Sequence, residues 1–596
     1  MSSNPTREID NFKIFTYDYE TTGLGNNPLI TESAYGVTDG FNLKGGKFVD
    51  QYIKPVMDRV PSPQAFAVTG IKMETLNNEG VTIAQAMREF QKDCLTNNEG
   101  KPVIISGYNI KSYDLPITRY WNYMNGIDPY LAEWSKNNKF NMGNRILDVF
   151  DIVQTVYALR PDLLTIPMKE DGSPSLKLED LCTGNGIGHE HAHNALSDIY
   201  ATIGLAKLID EQNPNLVDHV FSKTSKDNMR PFFQKAIGGR KLLVNVNRLH
   251  SMKNSLGTVC MAIGNDKVMR DKVMFLDLRH DIRSLLDLTA EEINHHRFLR
   301  KTDESKIITP FFMEQNNRSL TFDFAPFQNE VEARMNIDMD MVKQNEELIN
   351  SDPAILHEIR AKLHSLAPDF GKSDDLSDQY SIYSGLNVEN LTPNGDFVSS
   401  EGFLDRTSTT VISNATKLDK SKEEYSEFLE DTNILEVVGK AKDFLRTFQM
   451  LSRKKWLILK EIPNLIEDIS EPHEAYEIKK VIEHVERGLM NGHGKNALTL
   501  DTFQAEYDGL MEEKGDSLDE NKLESLSQLS GYVDLLRSNL ENLKTLYPLL
   551  DGVIENASEE ELEVMGKIDY LESANFNKLY IKELDNDAEP SLDPDF

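Results

Sequence analysis

Basic residues are in short supply: 64 Lys and Arg stand against 97 Asp and Glu in 596 residues, a formal net charge of −33. A field of that sign repels phosphate, so any nucleic-acid role must rest on local clusters of cations. Cysteine is scarcer still. Cys94, Cys182 and Cys260 lie far apart with no CxxC pair, which argues against a disulfide framework and against a thiolate zinc finger. No run of about 18 apolar residues occurs, and the opening MSSNPTREIDNF has no basic stretch followed by an apolar one. The expectation is a cytoplasmic protein without signal peptide or membrane span. What the chain has in quantity is core material: 39% of residues are hydrophobic, with 27 Phe and 20 Tyr. At the usual domain size this length implies three or more domains.

The texture of the chain divides it. Over residues 1–213, strand-like stretches (FKIFTYDYE, SAYGVTD, FVDQYIKP, PVIISGYN) alternate with amphipathic helical ones (VTIAQAMREFQKDCL, SYDLPITRYWNYMN, NALSDIYATIGLAKLIDE), which predicts an α/β domain with a mixed sheet. Residues 214–352 carry short β-branched segments between Gly, Asn and Asp turns (KLLVNVNR, GTVCMAIGN, KVMFLDLR), as a small β-barrel requires. Residues 353–582 read as mainly helical, interrupted by a polar insertion at 371–420. The final segment, 583–596, has six acids and no base and reads as a flexible acidic tail.

Asp18 and Glu20 flank Tyr19 in the first strand. Residues i and i+2 of a strand share a face, so both carboxylates converge on one point. Buried side by side they would be costly, and a cation removes that cost. An edge strand with its polar face in water is the plainer reading of a lone DxE. The company it keeps argues otherwise: Asp114 follows GYNIKSY directly after a buried strand, and His193 precedes Asp198 in HNALSD. Acids of this kind suit two Mg²⁺ ions, with Mn²⁺ as substitute, in a two-metal hydrolase. His189 and His191 alternate with His193 and could serve zinc, but the segment reads as the entry to a helix.

DYET, GYNxxxYD, ALRP at 158–161, SLKLEDL and His-x4-Asp, in this order and spacing, resemble the histidine-containing branch of the DEDD 3′–5′ exonucleases, and within it the bacterial exonuclease I family. The resemblance implies a ribonuclease H-like first domain, an SH3-like second domain and a helical third domain, together closing a cleft over single-stranded DNA. It implies that Asp18, Glu20, Asp114 and Asp198 bind metal and that His193 is the general base. It also places Thr69-Gly70-Ile71, within PQAFAVTGI, against the terminal nucleotide, and Tyr19 among the DNA-binding residues. The activity implied is 3′–5′ hydrolysis of single-stranded DNA to nucleoside monophosphates in DNA repair or recombination, by a monomer.

One segment runs against the overall charge. Residues 222–253 hold eight Lys or Arg against the single acid Asp227, among them Lys223, Lys226, Arg230, Lys235, Arg240 and Lys241, with Phe232 and Phe233 between them. That mixture suits phosphate contact and base stacking, or equally a solvated linker whose two Phe anchor the barrel. A second basic run, SRKKWLILK, is as well suited to pairing with neighbouring acids. The family docks on the acidic C-terminal tip of single-stranded DNA-binding protein, and Arg160 and Lys241 match its tip pocket. The chain itself ends Leu592-Asp593-Pro594-Asp595-Phe596, similar to such a tip, so its own tail is a candidate mimic. Two other readings stand beside the exodeoxyribonuclease: an exoribonuclease that trims RNA, since the acids do not sense a 2′-OH, and a recruitment protein acting through the acidic tail.

Overall fold

The computed structural model describes residues 7–23, 28–96, 101–124, 143–188, 194–248, 250–265, 272–290, 308–312, 319–365, 472–492 and 497–559, together with 292, 561, 562 and 565. The first domain begins with three strands, β1 (Lys13–Thr21), β2 (Ile30–Thr38) and β3 (Lys47–Tyr52), and three helices, α1 (Pro63–Thr69), α2 (Met73–Glu79) and α3 (Ile83–Thr96). It continues through β4 (Val103–Gly107), α4 (Asp114–Met124), β5 (Arg145–Asp148), α5 (Val149–Leu159), α6 (Leu178–Gly184) and α7 (Ala195–Gln212). The sheet order is β3-β2-β1-β4-β5, with β1 antiparallel to β2 and parallel to β4, the mixed sheet that the alternating pattern predicts.

Strand β1 is central, and its alternation sorts its side chains between two cores. Phe15, Tyr17 and Tyr19 face α3, where Phe90 meets the rings of Phe15 and Tyr17 edge-on at 4.9 and 5.1 Å. Ile14 faces the other way, in one cluster with Ala34, Ile104 and Leu147 and with Ile199 and Ile203 of α7. Asp18 and Glu20 share that second face, under the start of α7.

Helices α8 (Pro214–Ser222) and α9 (Lys226–Gly239) lead into a five-stranded antiparallel sheet of β6 (Leu242–Asn247), β7 (Gly257–Asn265), β8 (Lys272–Asp277), β9 (Ile308–Phe312) and β10 (Ser319–Asp323), in the order β10-β6-β7-β8-β9. Three helices follow, α10 (Gln328–Arg334), α11 (Met339–Ser351) and α12 (Ala354–Ser365). The segment ILHEIRAKLHSL, read as the opening of the helical region, is α12, and it packs on the barrel: Ile355 and Ile359 are buried in the cluster that holds Val259 and Ile263. The boundary expected at 352/353 therefore falls inside one packing unit.

The last described elements are α13 (Pro472–Asn491), α14 (Phe503–Lys514), α15 (Glu520–Lys544) and α16 (Tyr547–Ile554). On α15, Leu526, Leu529, Val533, Leu536 and Leu540 are buried at helical spacing, in one cluster with Phe66, Ala67, Ile71, Met73 and Leu76 of the first domain. Each such side chain contributes about 1.5–3 kcal/mol on full burial, against at most about 1 kcal/mol for an exposed ion pair such as Lys72–Glu524 at the rim, so apolar burial holds the two units together. Polar contacts fix the register: Ser525 Oγ donates to the Ile71 carbonyl at 2.5 Å and Tyr532 Oη to that of Val56 at 3.3 Å, while Asp58 meets His484 at 3.1 Å.

All three cysteines are buried in these cores. No described helix is long and apolar enough to cross a membrane. The 371–420 insertion, the SRKKWLILK run and the 583–596 tail lie outside the described residues.

Candidate active site

At the C-terminal end of β1, carboxylate oxygens of Asp18, Glu20 and Asp198 lie within 4.8 Å of one another. Two come from the strand's face and the third from the first turn of α7. That helix is placed by its N-cap, Asn194, whose side chain accepts from the Ser197 amide at 3.1 Å. Burial, then mutual repulsion with Asp114, Asp198 and each other, pushes the Asp18 carboxyl well above the ordinary carboxylate range, and burial followed by Asp198 and Asp114 pushes Glu20 up to about 8. The site keeps partial exposure on all three acids, so an ion can reach it. Hard oxygen donors at this spacing fit a divalent cation, which would replace the protons that the cluster otherwise holds.

Asp114 is the fourth predicted acid. It opens α4 and is 3% exposed, and its Oδ1 accepts from the Tyr19 amide at 3.2 Å, so it borders the three-acid group without belonging to it. Burial pushes its carboxyl up to about 8. The loop that delivers it is tightly held. Gly107 ends β4 against β1, where a Cβ would lie 2.6 Å from the Tyr17 carbonyl, and Asn109 takes a left-handed φ of 59°. Asp148, at the end of β5, accepts from the amides of Asn109 at 2.7 Å and Lys111 at 3.1 Å. Lys111 pairs with Asp151 at 2.5 Å, both side chains buried. This is the physical content of GYNxxxYD: a close strand approach, a left-handed turn and an acid aimed back at β1. Asp148, Lys111 and Asp151 are absent from the sequence-derived site. Their partners are 37 to 40 residues away, so no local pattern reveals them.

A cleft of about 370 Å³ is lined by Glu32 of β2, Asn194 at the start of α7, and Thr69, Gly70, Ile71 and Asn521 among others. Thr69 ends α1, and Gly70 caps it with φ 68°, its carbonyl accepting from Asn521 Nδ2 of α15 at 3.2 Å. Thr69, Gly70 and Ile71 thus line this cleft together. Tyr19, expected among the DNA-binding residues, points its side chain to the opposite face of β1, the ring 4% exposed against Tyr17 and the hydroxyl bonded to Thr118 at 3.1 Å, while its amide donates to Asp114.

Of the two readings of the basic segment, the structure agrees with the one in which its two Phe anchor the barrel. Residues 226–239 form helix α9, and Phe233 is 1% exposed in the barrel core with Phe275, unavailable for base stacking. Lys223 lies 3.7 Å from the centroid of the Phe232 ring, and burial pulls its ammonium down to about 8. Arg230 and Lys235 are exposed on α9. Arg240 donates to Asn350 at 3.2 Å and Lys241 faces Asp323 at 3.6 Å, while Arg160 makes a paired contact with Asp162 at 2.9 and 2.7 Å. The helix that contains Lys226 is described, its side chain is not. His189, His191 and His193 lie outside the described residues, as do Leu592, Pro594 and Phe596.

Comparison with known proteins adds independent weight. The family model described as Exonuclease matches residues 15–206, and the one described as Exonuclease I SH3-like domain matches residues 225–365. The chain is similar to exodeoxyribonuclease I of Haemophilus influenzae, 28% identical over 512 residues that cover 84% of this chain and 98% of the relative. It is also 28% identical to the Escherichia coli exodeoxyribonuclease I over 382 residues, 62% of this chain and 75% of that one. Its fold is that of a crystal structure of E. coli exonuclease I in complex with a dA16 oligonucleotide, with a TM-score of 0.63 at 23% identity, covering 88% of this chain and 100% of that one.

Proposed function

The chain belongs to the bacterial exonuclease I family, and from that premise we propose that it removes nucleotides one at a time from the 3′ end of single-stranded DNA, releasing nucleoside monophosphates. The observation that carries the reading is the meeting of the partly exposed Asp18, Glu20 and Asp198 within 4.8 Å, inside the segment matched by the exonuclease family. We assign the cations as Mg²⁺, with Mn²⁺ as substitute, on the chemistry of the all-carboxylate donor set. When bound, divalent ions supply charge neutralisation at the scissile phosphate and a lowered pKa for the attacking water.

The residues of this chain do the rest. Asp18, Glu20 and Asp198 hold the ions, with Asp114 joining from the start of α4. His193, one residue before the α7 N-cap and five before Asp198, takes the proton from water in its neutral form, in keeping with the family resemblance. Thr69, Gly70 and Ile71 present the rim on which the terminal nucleotide rests, and Arg230, Lys235 and Arg240, with Lys223 and Lys226, draw the strand's phosphates in along α9. We place the division into exonuclease, SH3-like and helical domains near 213 and beyond 352. The match of Arg160 and Lys241 to the family's tip pocket makes single-stranded DNA-binding protein the expected partner, with the tip-like segment 592–596 as a candidate mimic of its tip. Repair or recombination in the cytoplasm is the corresponding setting.

The test is degradation of end-labelled single-stranded DNA, duplex DNA and RNA, each with Mg²⁺ and with a chelator. Mononucleotide release from the 3′ end of the single-stranded DNA alone, lost with chelator, is expected. Faster release from RNA would make the chain an exoribonuclease, and no release from any substrate would leave a recruitment protein.

A further inference from the structure

One buried acid beside the site belongs to no pair so far described. Glu32 lies directly opposite Glu20 in the β1–β2 register, so its side chain leaves the sheet on the same face. It is 2% exposed, yet its carboxylate is outside the three-acid group. Its Oε1 accepts from Asn194 Nδ2 at 2.6 Å, and the Ala195 amide also bonds to it. Asn194 uses its other amide atom as the N-cap of α7, and its backbone carbonyl accepts from the Asp198 amide at 3.0 Å. Asp50 on β3 lies on the far side of Glu32 and also bonds to it.

We propose that Glu32 is a positioning residue: through Asn194 and the Ala195 amide it clamps the first turn of α7 to the central sheet and so sets where Asp198 stands relative to Asp18 and Glu20. The inference rests on the functional reading above. The first amides of a helix have no partner within it, and the Glu32 carboxyl oxygen satisfies that of Ala195. Asp198 comes from another element than its two partner acids, so the strand-to-helix distance must be held by something other than the strand itself. Apolar packing of Ile199 and Ile203 on Ile14 and Ala34 holds the body of the helix, and Glu32 is a polar tie at its first turn. A residue of this kind acts on catalysis through geometry, and loss of such outer partners typically costs about 10–100-fold in activity.

Four variants separate this role from metal ligation and from plain stability. Glu32→Gln keeps an oxygen for Asn194 and offers its amide to Asp50, whereas Glu32→Ala removes the clamp. Asn194→Asp keeps a good N-cap but replaces the donor with a carboxylate facing Glu32, and Asn194→Asp combined with Glu32→Gln restores a donor–acceptor pair with the roles exchanged. Expected are a fall in kcat of about 10–100-fold in Glu32→Ala and Asn194→Asp with KM for DNA changed less than about twofold, and recovery to within about threefold in Glu32→Gln and in the double variant. Amide exchange at 195–198 should speed up in the first pair alone, with the sheet amides unchanged. Glu32→Gln as inactive as Glu32→Ala would mean that the charge is needed, as for a cation ligand. Asn194→Asp at the wild-type kcat, a double variant no better than Asn194→Asp, or unchanged exchange at 195–198 would each overturn the clamp. An inactive wild type would sink the functional reading instead, with exchange still deciding the clamp. If Glu32→Ala does not fold, Asn194→Asp and its rescue carry the comparison.

Discussion

Removing the Asp198 carboxylate takes away a cation ligand and, in the same step, a source of repulsion on Asp18 and Glu20. Asp198→Ala and Asp18→Ala are therefore expected to abolish hydrolysis while raising the melting temperature of the metal-free protein; wild-type turnover in either would end the metal assignment. His193→Ala should slow turnover by about 10²–10⁴-fold with DNA affinity retained, as for a positioned base, and an unchanged rate near pH 7 would point to another proton acceptor. The same acids set a pH dependence. Burial raises Glu20 from 4.5, and Asp114 from 3.8, to about 8, so the folded chain keeps protons that the unfolded chain has released. Without cation, stability from these groups is greatest below about pH 4 and falls as pH rises toward about 8. Cations displace those protons, so the melting-temperature gain from saturating Mg²⁺ should grow from about pH 5 to about pH 8; a larger gain at the acidic end would contradict it. Asp18 and Glu20 were legible as a pair because strand periodicity is local. Glu32 and Asp148 were not, since each acquires meaning only from partners brought by other elements.

Among the elements, α1 is short and its end is decisive. Gly70 holds φ 68°, and a Cβ there would stand 2.6 Å from Asn521 Nδ2, the group that donates to the Gly70 carbonyl. Gly70→Ala is expected to destabilise by about 1–2 kcal/mol from the left-handed backbone alone, and to push Asn521 off the carbonyl. Both a lowered melting temperature and a raised KM for single-stranded DNA should follow; a variant with both unchanged would show that neither the turn nor Asn521 shapes the cleft. Strand and helix identities were largely readable here, because β1 is rich in aromatics and α3 carries its apolar residues at helical spacing. Which surface each helix seeks was not. The apolar stripe of α12 says only that it packs, and its choice of the barrel over the later helices depends on Val259 and Ile263, about 100 residues earlier in the chain. Phe233 was open to two readings, a stacking platform or an anchor of the barrel, and only the packing of α9 decides for the anchor.

For the whole molecule, a charge of −33 makes every basic site compete with acids of the same chain. Arg160 and Lys241 already face Asp162 and Asp323, but such exposed pairs are worth at most about 1 kcal/mol, so an acidic tip carrying several charges and a terminal Phe can displace them. A fluorescent peptide of residues 585–596 is expected to bind the protein lacking that segment, more weakly at high salt and not at all after Arg160→Ala with Lys241→Ala. No saturable binding would leave the tail a solubilising end. Charge patterning reveals such a tail in sequence, but which surface it meets is set by folding. The burial of the cysteines has a practical sequel. Burial pushes Cys182 up to about 12 and holds Cys94 and Cys260 above the ordinary thiol range, so almost no thiolate exists to attack an alkylating reagent. Gln234, exposed on α9, can be exchanged for cysteine without first stripping the native three, and a maleimide dye will then mark one chosen point on the barrel's helix, from which the passage of a DNA strand can be followed one molecule at a time.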